Sequence, residues 1–173
     1  MTHSPVPLVA LVGKSGSGKT TLMEKLLKIL TARGIRVGTV KHDAHSFDVD
    51  HPGKDTWRHR EAGACAVAIL SPTRMFLTVD APERNSVREV VETHLSGLGL
   101  DLVIAEGFKR GDTEKIEVQR AARSDALICS GPGDRLVAIA SDMQWNLGVP
   151  LFHVDDAEGI ADFIVDRYLP GRR

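Results

Sequence analysis

Short apolar runs alternate with amphipathic stretches along most of the chain, and this alternation predicts strands followed by helices. The first apolar run, Leu8 to Val12, is typical of a buried strand. Six further strands are predicted at Ile35 to Lys41, Cys65 to Leu70, Met75 to Val79, Leu102 to Ala105, Leu136 to Ala140 and Leu151 to Val154. Helical spacing of apolar residues predicts helices from Leu22 to Leu30, from the entry at Pro52 to Asp55 through Ala62, from an Asn85 cap through Leu95, and after Asp155 or Asp156.

This order of elements predicts an α/β fold with a mostly parallel, twisted sheet flanked by helices. One further run, Ile116 to Gln119, alternates polar and apolar residues and predicts an edge or half-exposed strand. Cys65 stands in an apolar run and is predicted to be a buried strand residue. In parallel sheets of this kind the ligand lies at the carboxyl ends of the strands, so polar residues that follow strands are the first candidates for function.

A glycine-rich loop connects the first predicted strand to the first predicted helix. It matches the G-x-x-x-x-G-K-[ST] phosphate-binding pattern, with the residues Gly13, Lys14, Ser15, Gly16, Ser17, Gly18, Lys19 and Thr20. Backbone N–H groups of such a loop point at phosphate oxygens, and the following helix adds the positive end of its dipole. Lys19 can reach the β- and γ-phosphates, and the Thr20 hydroxyl can bind Mg²⁺. The loop therefore predicts a P-loop nucleotide-binding fold of three layers.

The run Leu102 to Ala105 ends in an acid, Glu106, and resembles the Walker B strand that presents a carboxylate beside the nucleotide's Mg²⁺. An aspartate is more usual at this position. We therefore predict that Glu106 lies in the metal shell, either directly or through water. Asp101 is at the opposite end of the strand and is predicted to be structural.

The polar segment from Lys41 to His51 holds three histidines and three aspartates. It follows a predicted strand, which places it at the phosphate end of the sheet. Three interpretations stay open: a switch segment ordered around γ-phosphate and Mg²⁺, a transition-metal site, or a solvated polar loop. Asp43 is the first candidate for positioning water or metal.

Three other positions carry candidate roles with an ordinary alternative. Lys14 reaches the phosphates in one branch of P-loop proteins, often across a dimer, but it can equally face solvent. Asp142 follows a late strand, where its carboxylate can accept two N–H bonds from guanine, which adenine cannot donate as a pair; it can equally be a turn residue. Arg120 and Arg123, followed by a Gly-Pro-Gly loop, are a faint version of the arginine-bearing lid of a small-molecule kinase.

Composition narrows the class of protein. The 173 residues, 42% of them hydrophobic, suffice for one domain over residues 1–173. A net charge of −1 gives no sign of nucleic-acid or membrane-surface binding. No apolar run is long enough to span a bilayer, and Met1 to Pro7 does not predict a signal peptide. The two cysteines form no C-x-x-C pair, so we expect a cytoplasmic protein without a structural zinc site.

Beyond the phosphate loop, longer motifs resemble the molybdopterin-guanine dinucleotide biosynthesis protein B family. The matching segments are Thr39 to His45, Asp48 to Thr56, Glu61 to Ala64, Asp101 to Lys109 and Ile139 to Phe163. The resemblance runs over roughly Leu8 to Tyr168. The phosphate loop alone is shared by many proteins, whereas the Pro-Gly-Lys-Asp and Glu-Gly-Phe-Lys segments are much more specific.

The resemblance implies a homodimeric protein that binds GTP with Mg²⁺, hydrolyses it weakly and assists the guanylyltransferase that joins GMP to molybdenum-bound molybdopterin. The family's phosphate contacts fall on Gly16, Gly18, Lys19, Thr20 and Thr21, and its Walker B acid falls on Glu106. Two alternatives use the same fold. One is a small-molecule kinase, and the other is a metal-delivery GTPase, suggested by the cluster of His42, Asp43, His45 and His51.

Overall fold

The computed structural model describes residues 5–43, 50–80 and 86–172. The chain divides into two compact units, residues 1–42 with 86–173 and residues 43–85, and each is considered by itself. One domain over residues 1–173 stays a prediction. In chain order the strands are β1 Leu8–Val12, β2 Val37–Lys41, β3 Ala66–Leu70, β4 Met75–Val79, β5 Leu102–Glu106, β6 Lys115–Gln119, β7 Leu136–Ser141 and β8 Leu151–Phe152. The α-helices are α1 Lys19–Ala32, α2 Asp55–Glu61, α3 Val87–Val90 and α4 Ala157–Tyr168.

The first unit is built on a six-stranded sheet in the order β2-β5-β1-β6-β7-β8, and every pairing in it is parallel. The predicted α/β architecture is thereby confirmed. The strand that enters the phosphate loop, β1, lies beside β5, whose last residue is Glu106. This pairing brings the two strongest sequence motifs to the same edge of the sheet, because parallel strands share their carboxyl ends.

Alternate residues of the central strands form two apolar cores, one on each face of the sheet. Val9 and Leu11 pack with buried residues of α1 and α4, such as Leu26 and Ile160. Their neighbours on the opposite face pack against α3 and the π-helical turn Val91–Leu95 that continues it. Because each β-strand turns successive side chains to opposite faces, a strand covered on both sides must be apolar throughout, as β1 is.

The predicted edge or half-exposed strand is wrong, because β6 lies inside the sheet between β1 and β7 and all five of its residues are buried. Lys115 Nζ donates hydrogen bonds to the carbonyl oxygens of Gly111, Thr113 and Asp134, each at 2.9 Å. The polar residues of β6 are therefore buried with backbone partners, which is the condition under which a charge is tolerated inside a protein.

Glu117, on the same face of β6, is satisfied by backbone amides in the same way. Its carboxylate accepts N–H bonds from Ile128 at 2.7 Å and from Cys129 at 2.8 Å. Desolvation raises the pKa of Glu117, while the two amide bonds oppose that rise. Together with Lys115 it ties the central strand to the segments on either side of it.

The second unit contains α2 and an antiparallel hairpin of β3 and β4. Both strands were predicted, but the predicted burial of Cys65 is wrong, since this thiol is exposed. The hairpin presents large apolar side chains to solvent, with exposed fractions from 37% to 71%: Ile69, Leu70, Met75, Phe76, Leu77 and Val79. Within the described part of this unit, these strands are apolar without being covered.

The helix predicted from Asn85 has its cap one residue later. Ser86 Oγ accepts the Glu89 N–H, and the Glu89 carboxylate accepts the Ser86 N–H, which is a capping box. Asn85 itself lies outside the described residues. In the described ranges no helix is both long and apolar enough to cross a bilayer.

Candidate nucleotide site

The glycine-rich loop runs from the end of β1 to the first residue of α1, as the motif requires. Gly13 has a φ of 151°, and a Cβ atom there would collide with the carbonyl oxygen of Val118 on β6. Only glycine lets β1 and β6 approach this closely. Ser17 in the same loop is 1% exposed, and its Oγ has no hydrogen-bond partner among the residues that the structure describes. The loop is thus packed tightly against the sheet.

Lys19 folds across this loop. Its Nζ donates to the carbonyl oxygens of Gly13 at 3.2 Å and Lys14 at 3.0 Å. Burial lowers the pKa of the Lys19 ammonium, Glu106 opposes that effect, and Lys109 and Lys41 add to it. The ammonium is therefore held at the mouth of the loop, where it can exchange carbonyl partners for phosphate oxygens.

Thr20 and Glu106 meet beside the loop, and the Mg²⁺-binding role predicted for them stays a prediction. Thr20 Oγ1 donates a hydrogen bond to Glu106 Oε1 at 3.0 Å. A hydroxyl and a carboxylate at this spacing fit Mg²⁺, which prefers a few oxygen ligands and keeps several waters. At the other end of β5, Asp101 Oδ2 accepts the Arg36 N–H at 2.9 Å and pairs with Arg172 at 2.8 Å. The structural role predicted for Asp101 is confirmed.

The turn after Glu106 has an unusual backbone. Gly107 and Phe108 have φ values of 97° and 51°, and a positive φ is rare for a bulky residue. The Phe108 ring lies 5.1 Å from the ring of His42, whose N–H donates to the Glu106 carbonyl at 2.9 Å. These contacts hold the Glu106 end of β5 against the end of β2.

The segment after His42 is described only in part. Asp43 is the first residue of the second unit, and residues 44–49, which include His45, lie outside the described residues. The roles predicted for Asp43 and for the histidine cluster therefore stay predictions. Elsewhere, over residues 5–43, 50–80 and 86–172, no three His, Cys, Asp or Glu side chains are grouped to hold a metal ion.

Asp142 lies at the carboxyl end of β7 and holds the β6–β7 connection. Its Oδ1 accepts the Ala121 N–H at 2.8 Å. Beside it, Ser141 Oγ donates to Gln119 Oε1 and accepts the Trp145 indole N–H at 3.1 Å. Asp142 thus serves a turn while its carboxylate remains at the ligand edge of the sheet, and guanine reading by Asp142 stays a prediction.

Lys14 and two arginines form the other rim of the loop. The exposed Lys14 side chain donates from Nζ to Ser124 Oγ at 2.7 Å, so it binds the β6–β7 connection of its own chain. From the sequence, Arg120 and Arg123 were candidates only for a kinase lid. In the structure Arg123 lies against Gly16 of the loop, and Arg120 lies against Gly18. The available signal was Arg120's position directly after a strand, the rule that identified Glu106.

The remaining loop positions, Ser15 and Thr21, are exposed. Their predicted phosphate contacts stay predictions. The backbone positions of Gly16 and Gly18 have φ values of 75° and 95°, and Gly18 precedes the first residue of α1. The helix N-terminus therefore faces the same space as Lys19 and Thr20, which suits an anion.

Sequence comparisons match this chain to one protein family and to proteins named for the same biosynthesis. Residues 8–142 match a family model described as molybdopterin guanine dinucleotide synthesis protein B. The molybdopterin-guanine dinucleotide biosynthesis adapter protein of Escherichia coli K12 is 40% identical over 166 residues, covering 93% of each chain. The protein of that name from Haemophilus influenzae is 35% identical over 162 residues, covering 94% of this chain and 89% of its own.

Solved structures give the same likeness in three dimensions. A crystal structure of molybdopterin-guanine biosynthesis protein B superposes with a TM-score of 0.73 at 31% identity, covering 92% of this chain and 97% of the other. The crystal structure of Bacillus subtilis MobB has a TM-score of 0.74 at 26% identity, covering 95% and 99%. The likeness extends over nearly the whole length of both chains.

Proposed function

Because the chain belongs to the molybdopterin-guanine dinucleotide biosynthesis protein B family, we propose that it is a GTP-binding accessory protein and a slow GTPase in formation of the guanine dinucleotide cofactor. The observation that carries the proposal is the phosphate loop with the Thr20–Glu106 hydrogen bond of 3.0 Å beside it. Lys19, already held at the loop, binds the β- and γ-phosphate oxygens.

Thr20 and Glu106 are the residues that hold Mg²⁺ in this proposal. The ion supplies neutralisation of the charge on the phosphate oxygens. The loop amides and the N-terminus of α1 orient the phosphate chain. The role of Asp43 in positioning water for hydrolysis is proposed from the sequence alone. Slow turnover suits an accessory role, in which nucleotide occupancy matters more than the rate of hydrolysis.

Base selection is assigned to Asp142, and direct binding tests it. We expect the wild type to bind Mg²⁺–GTP at least about tenfold more tightly than Mg²⁺–ATP, because a carboxylate accepts two N–H bonds from guanine. Asp142→Asn keeps an oxygen for the Ala121 N–H but loses the paired acceptors. The variant is therefore expected to lose the GTP preference in calorimetric titrations.

Asp125→Asn, on the same connection and exposed, is the matched control and should keep the preference. Equal binding of GTP and ATP by the wild type would favour the small-molecule kinase instead. That alternative would gain further support if nucleotide consumption rose sharply with one small acceptor.

The proposed partner is the cytoplasmic guanylyltransferase that joins GMP to molybdopterin, since relatives are named adapter proteins of this biosynthesis. Affinity between the two purified proteins, measured with and without GTP, tests this part. A GTP-dependent complex supports an adapter role, and absence of any complex at micromolar concentrations contradicts it.

Homodimerisation is proposed through the β3–β4 hairpin, where six large apolar side chains are exposed. In the antiparallel register, Leu70, Met75, Leu77 and Val79 share one face of the hairpin. An exposed apolar face is typical of an interface, and a second copy would cover it with an equally apolar one. In sedimentation velocity the wild type is expected to be a dimer and Leu70→Glu a monomer. Leu147→Glu, which changes an exposed leucine of the other unit, should remain dimeric. A monomeric wild type would contradict the proposal.

A further inference from the structure

The connection between β6 and β7 begins with two arginines that pack on the backbone of the phosphate loop. A Cβ atom added at Gly16 would lie 2.9 Å from Arg123 Nε and 3.1 Å from its Nη2. One added at Gly18 would lie 3.3 Å from Arg120 Nε. Both guanidinium groups therefore rest on glycines of the loop, at positions that a larger residue would block.

Arg120 is held in place by a carboxylate. Its Nη2 lies 3.2 Å from Asp155 Oδ1, and Lys25 on α1 approaches the same oxygen at 3.6 Å. The hydrogen bond from Arg120 is the largest influence that lowers the pKa of Asp155. Arg120 thus has a fixed partner that neutralises it.

Arg123 differs from Arg120 because its guanidinium makes no hydrogen bond or ion pair within the described ranges of the chain. The residue is exposed. Five other arginines of the same unit pair with a carboxylate, namely Arg33, Arg88, Arg135, Arg167 and Arg172. Arg36 donates to the Leu98 carbonyl oxygen at 2.8 Å. Arg110, like Arg123, has no partner among the described residues, but it does not lie against the glycines of the loop. A cation resting on a phosphate loop without a counter-charge is suited to bind the anion that the loop receives.

The backbone that carries Arg123 is fixed at several points. The Arg123 N–H donates to the Arg120 carbonyl at 2.9 Å, and the Ala121 N–H donates to Asp142 at 2.8 Å. Ser124 accepts the hydrogen bond from Lys14 Nζ at 2.7 Å. Only the side chain of Arg123 is left to turn, so it can move from Gly16 to a bound ligand without rearranging the connection.

We propose that Arg123 binds the phosphate chain of the nucleotide directly and is a further binding residue of the site. This inference rests on the proposed function. The planar guanidinium donates two parallel N–H bonds to phosphate oxygens, whereas a lysine offers one point charge. Lys19 binds the chain from within the loop, and Arg123 binds it from the β6–β7 side, above Gly16.

Calorimetry with two probes, Mg²⁺–GTP and inorganic tripolyphosphate, tests this role. Tripolyphosphate has the phosphates without the base or ribose. Arg123→Ala is expected to weaken the binding of both probes about tenfold or more, because a charge-assisted hydrogen bond is lost. Arg123→Lys should fall between the wild type and Arg123→Ala. The control Arg88→Ala, which removes a surface pair with Asp112, should stay within about twofold of the wild type.

Asp142→Asn separates the contribution of the base from that of the phosphates. It should weaken GTP binding and leave tripolyphosphate binding unchanged. Tripolyphosphate affinity of Arg123→Ala within about twofold of the wild type would overturn the inference, whatever happens to GTP. The proposed function fails separately, if the wild type binds neither probe. Because Arg123 is exposed and unpaired, Arg123→Ala should unfold at the wild-type temperature, which a thermal scan verifies.

Discussion

Lys19→Ala is expected to abolish measurable GTP binding. The Lys19 ammonium already bonds two carbonyl oxygens of the loop and exchanges them for β- and γ-phosphate oxygens. Each charge-assisted hydrogen bond contributes about 1.5–3 kcal/mol, so losing two of them lowers the affinity by at least about a hundredfold. Titration calorimetry with Mg²⁺–GTP measures the effect.

Lys28→Ala is the matched control for this experiment, because Lys28 is an exposed lysine on the same helix. It removes the same charge from the protein while leaving the loop intact, and it should bind GTP as the wild type does. Unchanged affinity of Lys19→Ala would remove the nucleotide-binding role altogether. Circular dichroism of both variants shows whether α1 is still formed.

Lys115→Met is expected to lower the free energy of unfolding of the first unit by about 3–5 kcal/mol. Lys115 is 1% exposed, and its ammonium satisfies three carbonyl oxygens at 2.9 Å each. Methionine fills a similar volume but removes the donor from all three carbonyl oxygens, and the bond to Thr113 is fully buried. Urea unfolding followed by Trp145 fluorescence measures the change.

A Trp57→Phe background makes the signal specific, because Trp57 belongs to the second unit and Trp145 to the first. Lys28→Met in that background is the control and should change the free energy of unfolding by less than about 0.5 kcal/mol. A Lys115→Met protein within about 1 kcal/mol of its parent would contradict this account, because it would show that the three carbonyl oxygens find other donors.

The local geometry of the loop could be predicted from the sequence, because the signal was local. Strand, glycine-rich loop and helix are consecutive, so one motif predicts both the loop and its place in the fold. Glu106 also needed only a short apolar run and the rule that ligands lie at the carboxyl ends of parallel strands. The hydrogen bond between Thr20 and Glu106 agrees with both motifs.

The errors arose where distant residues decide burial. The alternation in β6 is typical of a half-exposed strand, and only the three-dimensional structure shows that Gly111, Asp134 and the amides of Ile128 and Cys129 satisfy its charges. The prediction for Cys65 was wrong in the opposite direction: the residue was predicted to be buried and is exposed, because an apolar run need not be covered within its own unit. The position of Arg123 beside the glycine-rich loop could not be predicted from the sequence, because it depends on the pairing of β6 with β1 in the sheet.

The charged residues of β6 also restrict how the sheet can be assembled. Ile116 and Val118 face the core formed with α1 and α4, while Lys115 and Glu117 face the other side, where their partners lie. If the pairing slipped by one residue, both charged side chains would face a core of leucine and isoleucine, and their hydrogen-bond partners would be left on the opposite face of the sheet. An all-apolar strand such as β1 tolerates either alignment, so it is β6 that makes one alignment of the central strands unique.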